Sequence, residues 1–267
     1  VKKAFIAILV LIIAVMSFVG CSKEEEVSGD NSLQEIKDKG YFVLGLDDSF
    51  PPMGFRGEDN EIVGFDIDMA KEVANRLGVE LKLQPIDWDA KVMELDNGNI
   101  DVIWNGLTIT EDRKEKIGFS TPYLNNRQIM IVGADSEIDK KADLDGKLVG
   151  VQMGSSGEEA LTASEEADSI KEIVKYSNYT EALLDLKAGR VDAVVVDEVV
   201  GRYYIAKKPG EYKVASENFG SEEYGIGFRK TDQVLLQEVD TILEEMKAEG
   251  VTTEIAEKWF GDDAALK

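Results

Sequence analysis

Between Asn105 and Arg113 the sequence N-G-L-T-I-T-E-D-R collects three kinds of anion-binding group in one short segment. Thr108 brings a hydroxyl, Gly106 an unhindered amide, and Arg113 a planar fork matched to a carboxylate. The apolar run Asp101-Val-Ile-Trp104 before it reads as a buried strand, and a helix is expected to open just after it. A helix start offers unpaired N–H groups and a partial positive charge. Together these describe a socket for a small anion. Taken alone, the same residues also fit a surface helix capped by Thr110 with Arg113 in solvent.

The elements that must position this socket follow from periodicity. Tyr41–Leu46, Val79–Ile86, Asp101–Trp104, Leu148–Val151, Glu172–Tyr176 and Ala193–Val196 read as strands. Phe65, Met69, Ala70, Val73, Ala74 and Leu77 share one helical face, and Gly78 stops that helix. Val92 with Leu95, and Ala182 with Leu183 and Leu186, mark two more helices. This alternation predicts an α/β fold with mostly parallel sheets flanked by helices. The order also repeats. Asn97-Gly-Asn-Ile-Asp101 and Lys187-Ala-Gly-Arg-Val-Asp192 occupy equivalent places, each a helix stop feeding a buried strand. The pattern alone reads as two α/β units in succession.

Ligands in open α/β sheets sit beyond the carboxyl ends of strands. Four clusters fall there: Asp47, Asp48 and Phe50; Asn105 to Arg113; Gln152 to Gly157; and Asp197. Facing each other, they would line one cleft. Arg113 with Thr108 suits a carboxylate, and Asp197 suits an ammonium or serves only to cap the helix from Glu198. Gly154-Ser-Ser-Gly157 opens a helix, so Ser155 and Ser156 read as caps and as hydroxyl donors. Phe50 and Trp88 are candidates to sandwich a ligand side chain, although core packing alone would also account for Trp88. Asp47 either reaches the ligand or caps the turn before Pro51-Pro52.

N-G-L-T-I-T-E-D-R with Phe119-Ser-Thr-Pro-Tyr123 resembles the polar amino-acid-binding proteins of bacterial ABC importers, the family 3 solute-binding proteins. The likeness continues through Gly64-Phe-Asp-Ile-Asp68, Asp143-Leu-Asp-Gly-Lys147 and Gly150-Val-Gln-Met-Gly-Ser-Ser156. It extends to Gly189-Arg-Val-Asp-Ala193 with Asp197, Tyr224-Gly-Ile-Gly-Phe228 and Lys258-Trp-Phe-Gly261. Each motif is weak alone; their order and spacing are specific. The resemblance implies a type II periplasmic-binding-protein-like fold whose two lobes are joined by a two-stranded hinge. It places residues 33–123 plus 225–267 in one lobe, 128–219 in the other, and the hinge near 124–127 and 220–224. It also implies that Asp47, Phe50, Trp88, Gly106, Thr108, Arg113, Ser156 and Asp197 contact the ligand. Asn105 and Gln152 stand where the family varies to select side chains. An acidic Asp47 favours an amide or cationic tip, so glutamine and basic amino acids rank first, cystine next, and glutamate or aspartate last.

Residues 1–20, basic at Lys2 and Lys3 and then uncharged and mostly apolar, read as a signal peptide. Phe18-Val-Gly-Cys21 resembles a lipobox, although Leu is its usual first residue, so Cys21 is the expected lipidation site. Residues 21–32 would form a flexible tether. Cys21 is the only cysteine, so no intramolecular disulfide exists. The net charge of −23 argues against nucleic acid and anionic membrane surfaces as partners. The absence of histidine removes Ser-His and Cys-His nucleophiles and imidazole metal ligands. The expected protein is therefore no enzyme, needs no metal or cofactor, acts as a monomer outside the cytoplasmic membrane, and hands its ligand to permease subunits. Two alternatives share the fold: an arogenate-type dehydratase, which needs an acidic group in the cleft, and an extracellular amino-acid sensor domain.

Overall fold

The computed structural model describes residues 29–261 and Leu266. The expected leader, Cys21 and most of the tether lie outside the described residues. In chain order the strands are β1 (Tyr41–Leu46), β2 (Ser49–Phe50), β3 (Gly54–Arg56), β4 (Ile62–Val63), β5 (Glu80–Pro85), β6 (Val102–Ile103) and β7 (Gly118–Phe119). They continue as β8 (Leu124–Gly133), β9 (Leu148–Gln152), β10 (Glu172–Tyr176), β11 (Ala193–Asp197), β12 (Tyr212–Tyr224) and β13 (Gly227–Phe228). The helices are α1 (Ser32–Lys39), α2 (Phe65–Leu77), α3 (Lys91–Asp96), α4 (Glu111–Lys114) and α5 (Ser156–Thr162). α6 (Tyr179–Lys187), α7 (Glu198–Lys207), α8 (Gln233–Ala248) and α9 (Val251–Phe260) complete them.

The strands form two main sheets, ordered β5-β1-β6-β13-β7 and β10-β9-β11-β8-β12, with β2-β3-β4 as a small ribbon. Each main sheet opens with three parallel strands whose first member lies in the middle. The repeat read from the sequence is therefore a repeat of topology. Its hydrogen bonding repeats as well. The Asp101 N–H donates to the Val43 carbonyl (2.8 Å), and the Val43 N–H returns a bond to Asp101 Oδ2 (2.6 Å). Asp192 and Leu148 exchange the same two bonds, both 2.8 Å. Each aspartate thus locks the third parallel strand onto the first.

The inner parallel strands β1, β6, β9 and β11 are largely buried, as helix-covered sheets require, whereas the edge strands β5 and β10 are not. Phe42, Leu44 and Leu46 of β1 pack under Phe65, Met69, Ala70, Val73 and Leu77 of α2. The opposite face of that sheet closes over Leu95, Ile100, Ile103, Leu107 and Ile117. In the second sheet Val149, Val151, Ala193 and Val195 face Leu144 and Leu161.

The chain passes between the sheets twice. It leaves the first from β7 into β8 and returns from β12 into β13, which inserts between β6 and β7. Two units in succession, the reading from pattern alone, is thereby corrected. β8 and β12 pair antiparallel from Leu124↔Tyr224 through Arg127↔Ser221. The C-terminal helices return to the first sheet. Lys258 Nζ and Trp259 Nε1 both donate to Asp68 Oδ2 (2.6 and 2.9 Å), joining two of the motifs noted above. The tether also ends sooner than expected: Ser32 belongs to α1, and its hydroxyl accepts the Leu235 N–H at 3.1 Å.

The two strand locks differ in burial. Asp101 is buried and also holds Lys39 Nζ at 2.6 Å, whereas Asp192 is exposed. Asp101→Ala is expected to cost about 2–3 kcal/mol and Asp192→Ala about 1 kcal/mol. Urea unfolding checks this; equal costs would mean that burial does not govern the lock.

Candidate functional site

The carboxyl ends of β1, β6, β9 and β11 deliver the four predicted clusters to one seam between the sheets. Gln152 Nε2 donates to Asp47 Oδ2 across it (2.7 Å). The Thr108 and Ser156 hydroxyls meet at 2.9 Å. Arg113 donates from Nη1 to the Thr108 carbonyl (2.9 Å) and from Nη2 to the Gly154 carbonyl of the other sheet's loop (3.1 Å). Glu159 approaches the same Nη2 at 3.4 Å. Arg113 is buried, not solvated.

Local sequence explains each placement. The Thr110 hydroxyl caps the short α4 by accepting the Arg113 N–H at 3.3 Å, which turns Arg113 inward. Ser155 caps α5 by accepting the Glu158 N–H at 3.0 Å, leaving the Ser156 hydroxyl for the seam. Asp47 caps the turn, its Oδ1 accepting the Ser49 N–H (2.8 Å), while its Oδ2 accepts from Gln152 across the seam. Asn105 holds the Asp47 N–H at 3.1 Å. Gly154 has φ +72°, and a Cβ there would lie 2.9 Å from the Asp89 backbone, so only glycine allows this approach.

The chain as a whole is similar to known proteins. The model for bacterial extracellular solute-binding proteins, family 3, matches residues 42–262. The L-cystine-binding protein TcyJ of Escherichia coli is 35% identical over 86% of this chain and 86% of its own length. The glutamine-binding protein GlnH of Bacillus subtilis is 31% identical over 99% of both chains. A histidine-bound ABC uptake substrate-binding protein from Streptococcus pneumoniae superposes with a TM-score of 0.86 at 37% identity, covering 90% of this chain and all of that one. The chain belongs to the family 3 solute-binding proteins. Its fold is that of the type II periplasmic binding proteins. No helix among the described residues is long and apolar enough to cross a membrane.

Several expected details differ. The Gly106 N–H donates to buried Asp66 Oδ2 (2.7 Å) and is not a free donor for an anion. Asp197 makes no side-chain cap to α7; its Oδ1 accepts from Asn126 Nδ2 (2.8 Å) and the Tyr224 hydroxyl (2.6 Å). Phe50 and Trp88 fall in separate apolar clusters rather than facing each other. Phe50 meets Tyr179 with ring centroids 6.0 Å apart, and the Lys91 ammonium lies 4.9 Å from the Trp88 ring. Sequence reasoning missed Asp66, Lys91, Asn126, Gln128, Tyr179 and Glu222. Asp66 lies within the Gly64-Phe-Asp-Ile-Asp68 motif, and that alone gave a signal.

Burial dominates the electrostatics. It raises the Asp47 carboxyl to about 6 against the Ser49 and Gln152 hydrogen bonds, and Asp66 to about 7 against the Gly106 bond. It lifts Asp197 well above the usual carboxylate range, with Glu222 adding repulsion. Lys91 donates to the Trp88 and Gly154 carbonyls (3.0 and 2.9 Å), and burial, then Arg113, lowers it to about 7.

Because Asp66 is raised on folding, its contribution to stability is complete below about pH 4 and is lost as pH rises through about 7. Asp66→Asn should remove that part of the pH dependence, so the variant gains on the wild type between about pH 4 and 8. Chemical denaturation across this range measures it; parallel profiles would contradict the assignment.

Proposed function

We propose that this protein captures a polar L-amino acid between its lobes and delivers it to the permease of an ABC importer. The observation that carries this reading is the pairing of opposite needs across one seam. Arg113 stands at one end, suited to an α-carboxylate, with the Thr108 and Ser156 hydroxyls between it and the acids of the floor. Buried Asp197, which forms no ion pair among the described residues, stands at the other and suits an α-ammonium. Asp47, Asn105 and Gln152 are left to meet the side chain, with Phe50 and Trp88 excluding water. The relatives named for cystine, glutamine and histidine support an amino acid as the ligand class.

The lobes that accompany this reading are residues 32–123 plus 225–267, and 128–219, with the hinge at 124–127 and 220–224. The sheet membership of the strands and the β8–β12 pairing support these limits. Cys21, by its place after an apolar leader, would carry the lipid that tethers the monomeric domain to the outer face of the cytoplasmic membrane. Cys21→Ala should release the protein to the medium or leave it unprocessed while the soluble domain binds normally. Altered affinity in purified Cys21→Ala protein would contradict the anchor role.

Glutamine and basic amino acids are the favoured ligands, cystine next, and glutamate and aspartate last. A thermal-shift panel of the common amino acids tests the ranking, which selective stabilisation by glutamate or aspartate would overturn. With the best ligand, Arg113→Ala should lose about 3–5 kcal/mol of binding, the cost of breaking a buried pair. That is roughly two to three and a half decades in calorimetric affinity. Near-normal affinity would remove Arg113 from the site.

A further inference from the structure

We infer that Glu222, in the hinge strand β12, is a second carboxylate for the ligand's α-ammonium and sets the requirement for an amino group. The inference rests on the amino-acid reading above. Four donors converge on one oxygen of Glu222: Thr108 Oγ1 at 2.8 Å, Asn126 Nδ2 at 2.6 Å, Gln128 Nε2 at 2.9 Å and Ser156 Oγ at 3.4 Å. Those contacts come from both sheets and from β8, so they fix the carboxylate at the floor of the seam. Asn126 Nδ2 also donates to Asp197 Oδ1, which brings the two acids onto a single amide nitrogen.

The surrounding groups show what this floor lacks. Among the described residues neither Asp197 nor Glu222 forms an ion pair; Arg127 is engaged by Glu198 instead. Arg113, the guanidinium of the same seam, is bonded to the Thr108 and Gly154 carbonyls and to Glu159. Gln128 is 1% exposed, yet among the described residues its Oε1 has no partner, and neither does Asn126 Oδ1. Buried acceptors left unpaired are costly. The floor thus combines two carboxylates with two unused amide oxygens, all acceptors. An ammonium has three donors and no acceptor, and it supplies the positive charge these acids lack. The Tyr179 and Tyr224 phenols also face the acids, and burial keeps them protonated well above their ordinary range.

Burial, and then the neighbouring Glu222, raise Asp197 well above the usual carboxylate range, so Asp197 keeps its proton until a cation replaces it. An arriving ammonium displaces that proton, so affinity should rise with pH over the range in which the proton is held.

The test uses Glu222→Gln, whose amide oxygen can still accept from Thr108, Asn126 and Gln128. Calorimetry with L-glutamine, L-arginine and L-cystine, each beside its α-deaminated counterpart, is run from about pH 6 to about pH 8. For the amino acid that binds wild type best, Glu222→Gln should weaken binding by at least about tenfold, the size of one charge-assisted hydrogen bond. Its deaminated counterpart should change by less than about threefold, and the rise of affinity with pH should flatten. Equal losses for both compounds would make Glu222 merely structural and overturn the inference. Unchanged or tighter amino-acid binding would overturn it too, the latter by marking Glu222 as a competitor for the ligand carboxylate's place. If wild type binds none of the three, the transport reading falls and takes this inference with it.

Discussion

The antiparallel pairing of β8 with β12, from Leu124↔Tyr224 to Arg127↔Ser221, is the constraint on which the rest of the molecule depends. It holds two sheets of like topology so that the carboxyl ends of their parallel strands face one another. Without it, Asp47 and Gln152, or Thr108 and Ser156, would be residues of separate units. The same strands also supply the floor of the seam, since Asn126, Gln128 and Glu222 project from them. The strands that join the two sheets and the floor of the seam are therefore one ladder. Any change in the angle between the sheets moves the groups that would hold a ligand.

Local signals carried much of this architecture. The β1 strand, the α2 helix ending at Gly78 and the twin aspartate starts at Asp101 and Asp192 follow from periodicity and turn chemistry, and each occurs as read. The caps at Thr110 and Ser155 are likewise local. What could not be read depends on distant pairing. The return of β13 into the first sheet is a property of topology, and only the family resemblance anticipated it. Glu222 looks like any surface acid in Ser221-Glu-Glu-Tyr224 until β8 places Asn126 and Gln128 against it. Phe50 and Trp88 carry no signal separating a shared sandwich from two cores. Ser32, polar and next to a tether-like stretch, reads as linker because its acceptor role toward Leu235 spans the whole chain.

The chemistry of the seam follows from burial. In a region shielded from water, charges interact more strongly and unpaired ones cost more. Asp47, Asp66 and Asp197 are all raised by desolvation, because burial penalises the charged carboxylate. A zwitterion bridging Arg113 and Asp197 would satisfy both ends at once. Such a ligand contacts both lobes only when they are together, so it favours the closed arrangement by its differential affinity.

That coupling of ligand to closure is tested most directly by small-angle scattering of the soluble domain with and without a saturating, tightly bound L-amino acid. The account predicts that the radius of gyration falls on binding in the wild type and stays unchanged in Arg113→Ala. An unchanged radius in the wild type at proven saturation would contradict it.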